Sequence, residues 1–380
     1  MLICNQLFII HNQFNLFILN ENHKERAKIY LRNYKQKVDR SLTKYFEKKK
    51  KQADKIDPLS LAAVRSIEEF TLSGGKRIRP AVVYYAYLAL GGENEKAIIE
   101  ASMSVELVHS FLLIHDDVID RDKSRHGVDT VHESYRKKAR FAVSKEDLCH
   151  FGNSMAIVVG DVAYSMANEI MFNSAFPAET IIKALNKIQQ IVYRTIPGEM
   201  LDVVMQMRGK TTENEIMRMY EGKTARYTFE GPIHLGMVLA QSEDQKILQA
   251  FSQYSLDLGI AFQIRDDILG IFADEQKLGK DVGSDIIEGK QTLLVFKTLK
   301  AGGSSALVVK KLLGKKNIKK KEIEEFRRAV TDSGALAYCN QLIADLTDRA
   351  VAQLEKIDFK NKEAKDFFIS LAEYVGRRDY

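Results

Sequence analysis

Two pairs of adjacent aspartates, Asp116-Asp117 and Asp266-Asp267, lie inside apolar stretches with helical spacing. The first stretch is LVHSFLLIHDDVID, Leu107–Asp120, and the second is GIAFQIRDDILGIFAD, Gly259–Asp274. On a helix, Asp116 and Asp120 are four apart and Asp117 and Asp120 three apart, so one turn carries three carboxylates. Like charges at that spacing repel, and a helix interior disfavours aspartate. A hard divalent cation relieves the repulsion. Mg²⁺ suits the task because it takes one or two carboxylates and keeps positions for water and phosphate oxygens. Alone, the first triad reads equally well as a solvated acidic helix end. The second pair reads alternatively as a buried pair bonded to Arg265, yet an Asp pair in so apolar a setting is costly unless metal or cations compensate it. The clusters are 150 residues apart, and helical bundles build metal sites by bringing such segments face to face.

The cations follow glycines. Lys76 and Arg79 come after Gly74-Gly75, Lys223 after Gly222, and Lys280 and Lys290 after glycines in GKDVGSDIIEGK. Each lysine alone is an ordinary surface charge. Together with two acidic clusters they suggest phosphate-bearing ligands, gripped by Lys/Arg on one side and bridging Mg²⁺ on the other. The remaining core is apolar, so the substrate implied has a diphosphate head and a greasy tail.

Composition narrows the architecture. The 380 residues include 45% hydrophobic residues, only 5 prolines and no tryptophan, which favours long helices. Cys4, Cys149 and Cys339 form no CxxC, which points to a reducing compartment, here the cytoplasm, and away from structural zinc. Of the net charge of +6, the arm Lys24–Lys55 carries +9, from 13 Lys/Arg against 4 Asp/Glu, and the rest sums to −3. A localised excess of this kind does not imply nucleic acid. It reads as a charged surface helix over 23–57, with peripheral contact to an anionic membrane as the minority reading. Residues 1–22 read as a disordered extension rather than a signal peptide. No uninterrupted apolar run reaches 18 residues, so no transmembrane span is expected.

Further along, helices are expected over Leu59–Leu72, Ala81–Leu90, Ile98–Asp120, Met155–Phe172, Glu179–Met207, Glu213–Tyr220, Gly231–Ala240 and Gln245–Phe272. Pro197-Gly198 predicts a kink or break in the fifth of these. Ala273–Lys290 reads as a polar, glycine-studded loop, and helices resume after Thr292. No strand or repeat is evident. The expectation is an all-α fold: one large helical-bundle domain, 23–380, around a deep central cavity.

The stretches GGKRIRP, HSFLLIHDDVIDRDKSRHG, GDVAYSMA, GEMLD, GKTA, FQIRDDILG and GKDVGSDIIEGK, in this order and spacing, resemble those of the trans-isoprenyl diphosphate synthases, the head-to-tail prenyltransferases. The resemblance covers roughly Lys76 to Lys290. It implies a homodimer that uses three Mg²⁺ ions, with Mn²⁺ as a substitute, to join isopentenyl diphosphate to dimethylallyl, geranyl or farnesyl diphosphate. By position it implies Asp116, Asp120 and Asp266 as metal ligands, supported by Asp117 and Asp267. It assigns Lys76, Arg79 and His109 to isopentenyl diphosphate, and Arg125, Lys223 and Lys280 to the allylic diphosphate. Thr224 and Gln263 would line the place where positive charge develops, and Lys290 would assist.

This chain departs from that pattern. His126 stands where the family usually has a second arginine that binds isopentenyl diphosphate, and histidine is shorter and only partly charged near neutrality. Gly270 stands where many members carry a third aspartate, and Glu199 where many have glutamine. Phe111 and Leu112, five and four residues before Asp116, face the growing tail in the family. An aromatic at the fifth position alone resembles geranylgeranyl diphosphate synthases, whereas aromatics at both resemble farnesyl diphosphate synthases. The twenty-carbon product is therefore expected, with the fifteen-carbon one as intermediate or co-product, and a farnesyl synthase is the alternative. A class I terpene cyclase would carry a mixed Asn/Ser/Glu second motif. A His-Asp phosphohydrolase at His115-Asp116 would need more histidines, and a non-catalytic synthase subunit would often lose the aspartates.

Overall fold

The computed structural model describes residues 2–272 and 283–376, with side chains described from His23 onward apart from Ser284. The expected extension 1–22 therefore has no described side chains, and Lys280 lies outside the described residues. The described chain is almost entirely helical. Its strands are two residues each, Ser124–Arg125 (β1) and Val128–Asp129 (β2), paired antiparallel.

Helix α1 (Leu2–Ala53) buries Ala27, Leu31, Tyr34, Val38, Leu42 and Phe46, a three-and-four spacing that lays one face on the body. Its basic face is partly neutralised by that body: Lys37 pairs with Glu95, Lys49 with Glu169 and Lys50 with Glu68. Asp57 then caps α2 (Pro58–Leu72), accepting from Leu59 and Ser60 N–H at 2.7 and 2.8 Å, with Pro58 in the first turn. The Gly-Gly turn leads to α3 (Ile78–Ala89), and Asn94 caps α4 (Glu95–Asp120).

α4 is the central helix. It packs mainly on α6 (Lys145–Phe172) and α3, with α1 and α2 behind it. α5 (Val131–Lys138) lies on α6. Helix α7 (Ala178–Arg208) passes through Pro197 without a break, contrary to the expected interruption. Helix α8 (Glu213–Met219) runs into an eleven-residue π-helical segment, Tyr220–Glu230, then α9 (Gly231–Leu239). Helix α10 (Gln245–Phe272) packs on the π-helical segment and on the helix Ala335–Leu354. Part of the expected polar loop is instead a short helix, Ser284–Glu288. Two helices, α4 and α6, are long and apolar enough to cross a membrane although neither has an uninterrupted apolar run of 18 residues, and 67% of the most apolar part of α4 is buried in this fold.

Arg77 joins three of these elements. It sits in the left-handed region, φ 56°, at the start of α3. Its guanidinium donates to Asp39 of α1, Glu106 of α4 and the Thr71 carbonyl of α2, each at 2.7 Å. Breaking a buried pair from one side leaves a charge without compensation. Arg77→Ala should therefore lower the unfolding free energy by roughly 3–5 kcal/mol, read from denaturant titration. A loss under about 1 kcal/mol, the range of an exposed pair, would refute this role.

Candidate active site

At its C-terminal end α4 stops on Arg121 in the left-handed region. The β1–β2 hairpin then returns Arg125 to the helix it has left. Arg125 donates to one oxygen of Asp117 through Nε and Nη2, at 2.8 and 2.6 Å. Asp117 is 0% exposed, and its second oxygen has no hydrogen-bond partner. Burial holds its carboxyl up at about 6 despite Arg125. Asp117, expected to support the metal-binding aspartates, anchors the hairpin, and Asp116 and Asp120 face the interior.

Across from them stand Asp266 and Asp267 on α10. Asp267 accepts from Gln263 Nε2 at 2.8 Å and from the Tyr220 hydroxyl, and burial pushes it up to about 7. Arg265 points elsewhere: its guanidinium donates to Asn340 and to the Gly376 carbonyl. The simple Arg265–aspartate pairing considered from sequence is not what holds this pair.

Lys223 and Thr224 reach the site because helices cross there almost backbone to backbone. A Cβ on Gly198 of α7 would overlap the Lys223 amide, and one on Gly259 of α10 would overlap Ala225. The π-helical segment is thereby pressed between α7 and α10. Such segments are rare and frequently mark functional sites. Thr224 Oγ1 donates to Gln263 Oε1. Lys223 Nζ lies 2.8 Å from both Glu199 and Asp202 and 3.6 Å from Asp116. Lys290 Nζ lies 3.1 Å from Glu288, 3.4 Å from Asp285 and 3.6 Å from Asp120. Burial alone would lower both lysines, but their carboxylate neighbours outweigh it and hold both well above the ordinary value.

These side chains line a polar chamber of about 340 Å³, bounded by Asp116, Asp120, Asp202, Asp266, Asp267 and Asp285 against Arg125, Lys223 and Lys290. His126 lines it too, in the left-handed region, with its ring seated against Gly74. A second, mostly apolar chamber of about 480 Å³ adjoins it, and Asp116, Lys223, Gln263 and Asp266 belong to both. Phe111, Leu112, Leu113, Ile119, Ile196, Met200 and Phe262 form much of its wall. Arg79, His109 and Tyr227 stand at one side of it. Arg79 donates to Thr228 at 2.9 Å and lies over the Tyr227 ring, and its buried Nε has no partner. Burial, and then Arg79, hold His109 well below 6.5, so the ring is neutral. Arg79 Nη1 donates to its Nε2 at 3.1 Å, which leaves Nδ1–H to donate to the Tyr227 hydroxyl at 2.7 Å.

The structure thus gathers Arg79, His109, Phe111, Leu112, Asp116, Asp120, Arg125, His126, Lys223, Thr224, Gln263, Asp266, Asp267 and Lys290. Lys76 lies outside both chambers, its ammonium over the Tyr374 ring at 5.4 Å. Sequence reading missed Asp202, Asp285, Glu288, Tyr220 and Tyr227. Asp202 had a signal, standing three residues after Glu199 on one face of α7.

A divalent metal fits these residues. All the donors are oxygens, the acids outnumber the permanent cations, and burial drives Asp120 and Glu199 upward, Glu199 to about 7. No group of three His, Cys, Asp or Glu among the described residues is gathered closely enough to hold an ion alone. That suits Mg²⁺, which leaves much of its shell to water and phosphate. His115, the residue a phosphohydrolase would use, lines the apolar chamber with its Nε2 3.0 Å from the Ile157 carbonyl of α6.

Comparison with known proteins agrees with this arrangement. The family profile described as polyprenyl synthetase matches residues 62–330. The chain is 32% identical over 321 residues to a geranylgeranyl pyrophosphate synthase of Geoglobus acetivorans, covering 83% of this chain and 91% of the relative. It is 34% identical over 309 residues to the geranylgeranyl diphosphate synthase of Saccharolobus solfataricus, covering 80% and 87%. Among solved structures, a geranylgeranyl pyrophosphate synthase of Corynebacterium glutamicum, complexed with isoprenyl diphosphate and magnesium, superposes with a TM-score of 0.85 at 30% identity, covering 91% of this chain and 99% of that one.

Glu199 gives a test of the site's charge balance without ligands. Its folded value near 7 exceeds the unfolded 4.5, so the folded chain keeps a proton the unfolded chain has lost. Its contribution to stability is present at low pH and is lost as pH rises through that window. In EDTA, Glu199→Gln should gain thermal stability over the parent between about pH 5 and about pH 8. An offset that does not change with pH would contradict it.

Proposed function

The chain belongs to the polyprenyl synthetase family, and from that premise we infer what its own residues do. It is a prenyltransferase that joins isopentenyl diphosphate head to tail to an allylic diphosphate. We propose geranylgeranyl diphosphate as the main product, with farnesyl diphosphate as intermediate or co-product. The observation that carries this reading is the meeting of a charged and an apolar chamber at Asp116, Lys223, Gln263 and Asp266. A diphosphate in the first places its allylic carbon at the mouth of the second.

In this reading Asp116, Asp120 and Asp266 hold divalent metal, three Mg²⁺ ions with Mn²⁺ as a substitute. When bound, the metal neutralises the leaving diphosphate, since phosphoryl-type oxygens are its natural partners. Lys223, Lys290 and Arg125 add fixed positive charge around the same group, and Lys280 is proposed for it from sequence alone. The Thr224 and Gln263 oxygens face the carbon where positive charge develops, a preorganised dipole that needs no rearrangement. Arg79, with its unpartnered buried Nε, binds the diphosphate of isopentenyl diphosphate. The neutral His109, itself bonded to the Tyr227 hydroxyl, and the Tyr227 ring hold Arg79 in place, and we assign Lys76 to the same substrate. His126 stands near it with less charge than an arginine. The proton released after bond formation goes to the departing diphosphate, the nearest strong acceptor. The apolar walls exclude water that would otherwise quench the cation.

Phe111 sets how long the tail grows, with Leu112 beside it. We further propose a homodimer in the cytoplasm. Tyr193, Ile196, Met200, Val204 and Met207 form an exposed apolar stripe along α7, and Ile157 and Val158 are exposed on α6. A stripe that long is the kind of surface a second copy covers. Sedimentation of the purified chain should show a dimer, and a persistent monomer at micromolar concentration would overturn that assignment.

Incubated with Mg²⁺, labelled isopentenyl diphosphate and each allylic primer in turn, the chain should yield chiefly twenty-carbon diphosphate. Failure to condense with any primer would remove the enzyme reading, and release of phosphate without carbon–carbon bonding would favour a hydrolase. His126→Arg should lower KM for isopentenyl diphosphate by several-fold and leave kcat close to that of the parent. An unchanged KM would mean another cation already compensates.

A further inference from the structure

Phe111, read above as the floor of the apolar chamber, is packed against a second aromatic ring. Phe111 lines the chamber, and Tyr164 of α6 does not. The Tyr164 ring lies behind Phe111, with centroids 4.9 Å apart and planes tilted by 36°. His115, which also lines the chamber, meets Phe111 edge-on at 4.9 Å and is itself pressed against Gly160, where a Cβ would overlap the imidazole. Phe111 is thus held in place rather than free to swing.

Tyr164 is fixed by a closed hydrogen-bonded ring. Its hydroxyl donates to Gln189 Oε1 on α7. Gln189 Nε2 donates to Asn168 Oδ1 at 2.9 Å, and Asn168 Nδ2 donates back to the Tyr164 carbonyl at 2.8 Å. The ring of contacts ties α6 to α7 directly behind the floor of the chamber. Its members are partly or largely exposed to solvent.

We propose that Tyr164, latched by Gln189 and Asn168, is a second length-determining residue: the stop a chain meets if Phe111 is removed or displaced. The proposal rests on the reading of Phe111 as the floor. The spacing makes it quantitative. A five-carbon unit extends four skeletal bonds, roughly 5 Å at ordinary carbon-chain bond lengths and angles. That matches the 4.9 Å between the two rings. Removal of Phe111 therefore makes room for one more unit before Tyr164 stops the tail, and removal of both rings makes room for at least two.

The experiment compares the longest product of Phe111→Ala, of Phe111→Ala/Tyr164→Ala and of Phe111→Ala/Gln189→Ala, each with Mg²⁺, isopentenyl diphosphate and farnesyl diphosphate. Thermal melts confirm that each variant folds. Phe111→Ala/Gln189→Ala keeps the Tyr164 ring and removes only its latch, so it serves if the Phe111→Ala/Tyr164→Ala variant fails to fold. The first variant should stop one five-carbon unit beyond the parent. The second should run at least one unit further, and the third should shift part of its product beyond the single variant's limit. If Phe111→Ala lengthens the product but neither double variant extends it further, the second stop is refuted and the floor stands. If Phe111→Ala itself leaves the product unchanged, the floor reading fails, and this proposal with it.

Discussion

The site is organised around mutual repulsion of carboxylates that the fold cannot relieve by itself. Two unit charges 4 Å apart in a partly buried setting interact by about 4 kcal/mol at an effective dielectric near 20. Asp116, Asp120, Asp202, Asp266, Asp267 and Asp285 share one chamber. Lys223 sits among Asp116, Glu199 and Asp202, and Lys290 among Asp120, Asp285 and Glu288. One cation for three acids leaves each group short of positive charge. Burial is the leading cause that raises Glu199, Asp267 and Glu288 to about 7, and neighbouring carboxylates push each of them further in the same direction. In the proposed reading, a divalent metal held by these acids would supply the missing positive charge, and Lys223 and Lys290 would be placed to meet the diphosphate oxygens.

That arrangement needs lysines delivered into a helical interior, and backbone proximity delivers one of them. Gly198 and Gly259 let the π-helical segment lie against α7 and α10 with nothing between. A side chain at either position would push Lys223 and Thr224 away from the junction of the two chambers. The same crossing accounts for Pro197 inside α7: a missing amide donor is tolerated one residue from a contact that holds the helix from outside.

Much of this was legible in the sequence because long amphipathic helices declare themselves. The span Gln245–Phe272 coincides with α10, and the basic arm follows its three-and-four pattern of buried residues. Asp116, Asp120, Asp266, Asp267, Arg79, Lys223 and Phe111 reach the chambers for the same reason: they sit on or beside strongly periodic helices. What stayed hidden depends on contacts between distant segments. YEGKTARYTFE has no spacing that distinguishes a π-helical turn from an α-helical one. Arg77 and Lys76 are adjacent, yet one is buried between three helices and the other lies over Tyr374. Asp117 looks like its neighbours until the hairpin brings Arg125 back to it. Pairing of this kind is a property of the tertiary fold.

Two of the departures from the family pattern, His126 and Gly270, show which constraint is strict. His126 keeps the place of a missing arginine only by taking a left-handed backbone and resting its ring where Gly74 has no side chain. At Gly270 the space that a side chain would fill is taken by the Asp285 carboxylate, brought in from another segment. In both cases the residue type has changed while a polar or charged group still stands at the wall of the chamber. Electrostatic stabilisation depends on where charge lies relative to the reacting atoms, and carboxylates arriving from different segments serve alike if they arrive at the same point. A negative charge can be supplied from elsewhere in the chain. The crossing at Gly198 and Gly259 cannot, because no other residue occupies so little room. The strict requirement therefore falls on the small residues that set the geometry, and the charged residues have latitude in which segment supplies them.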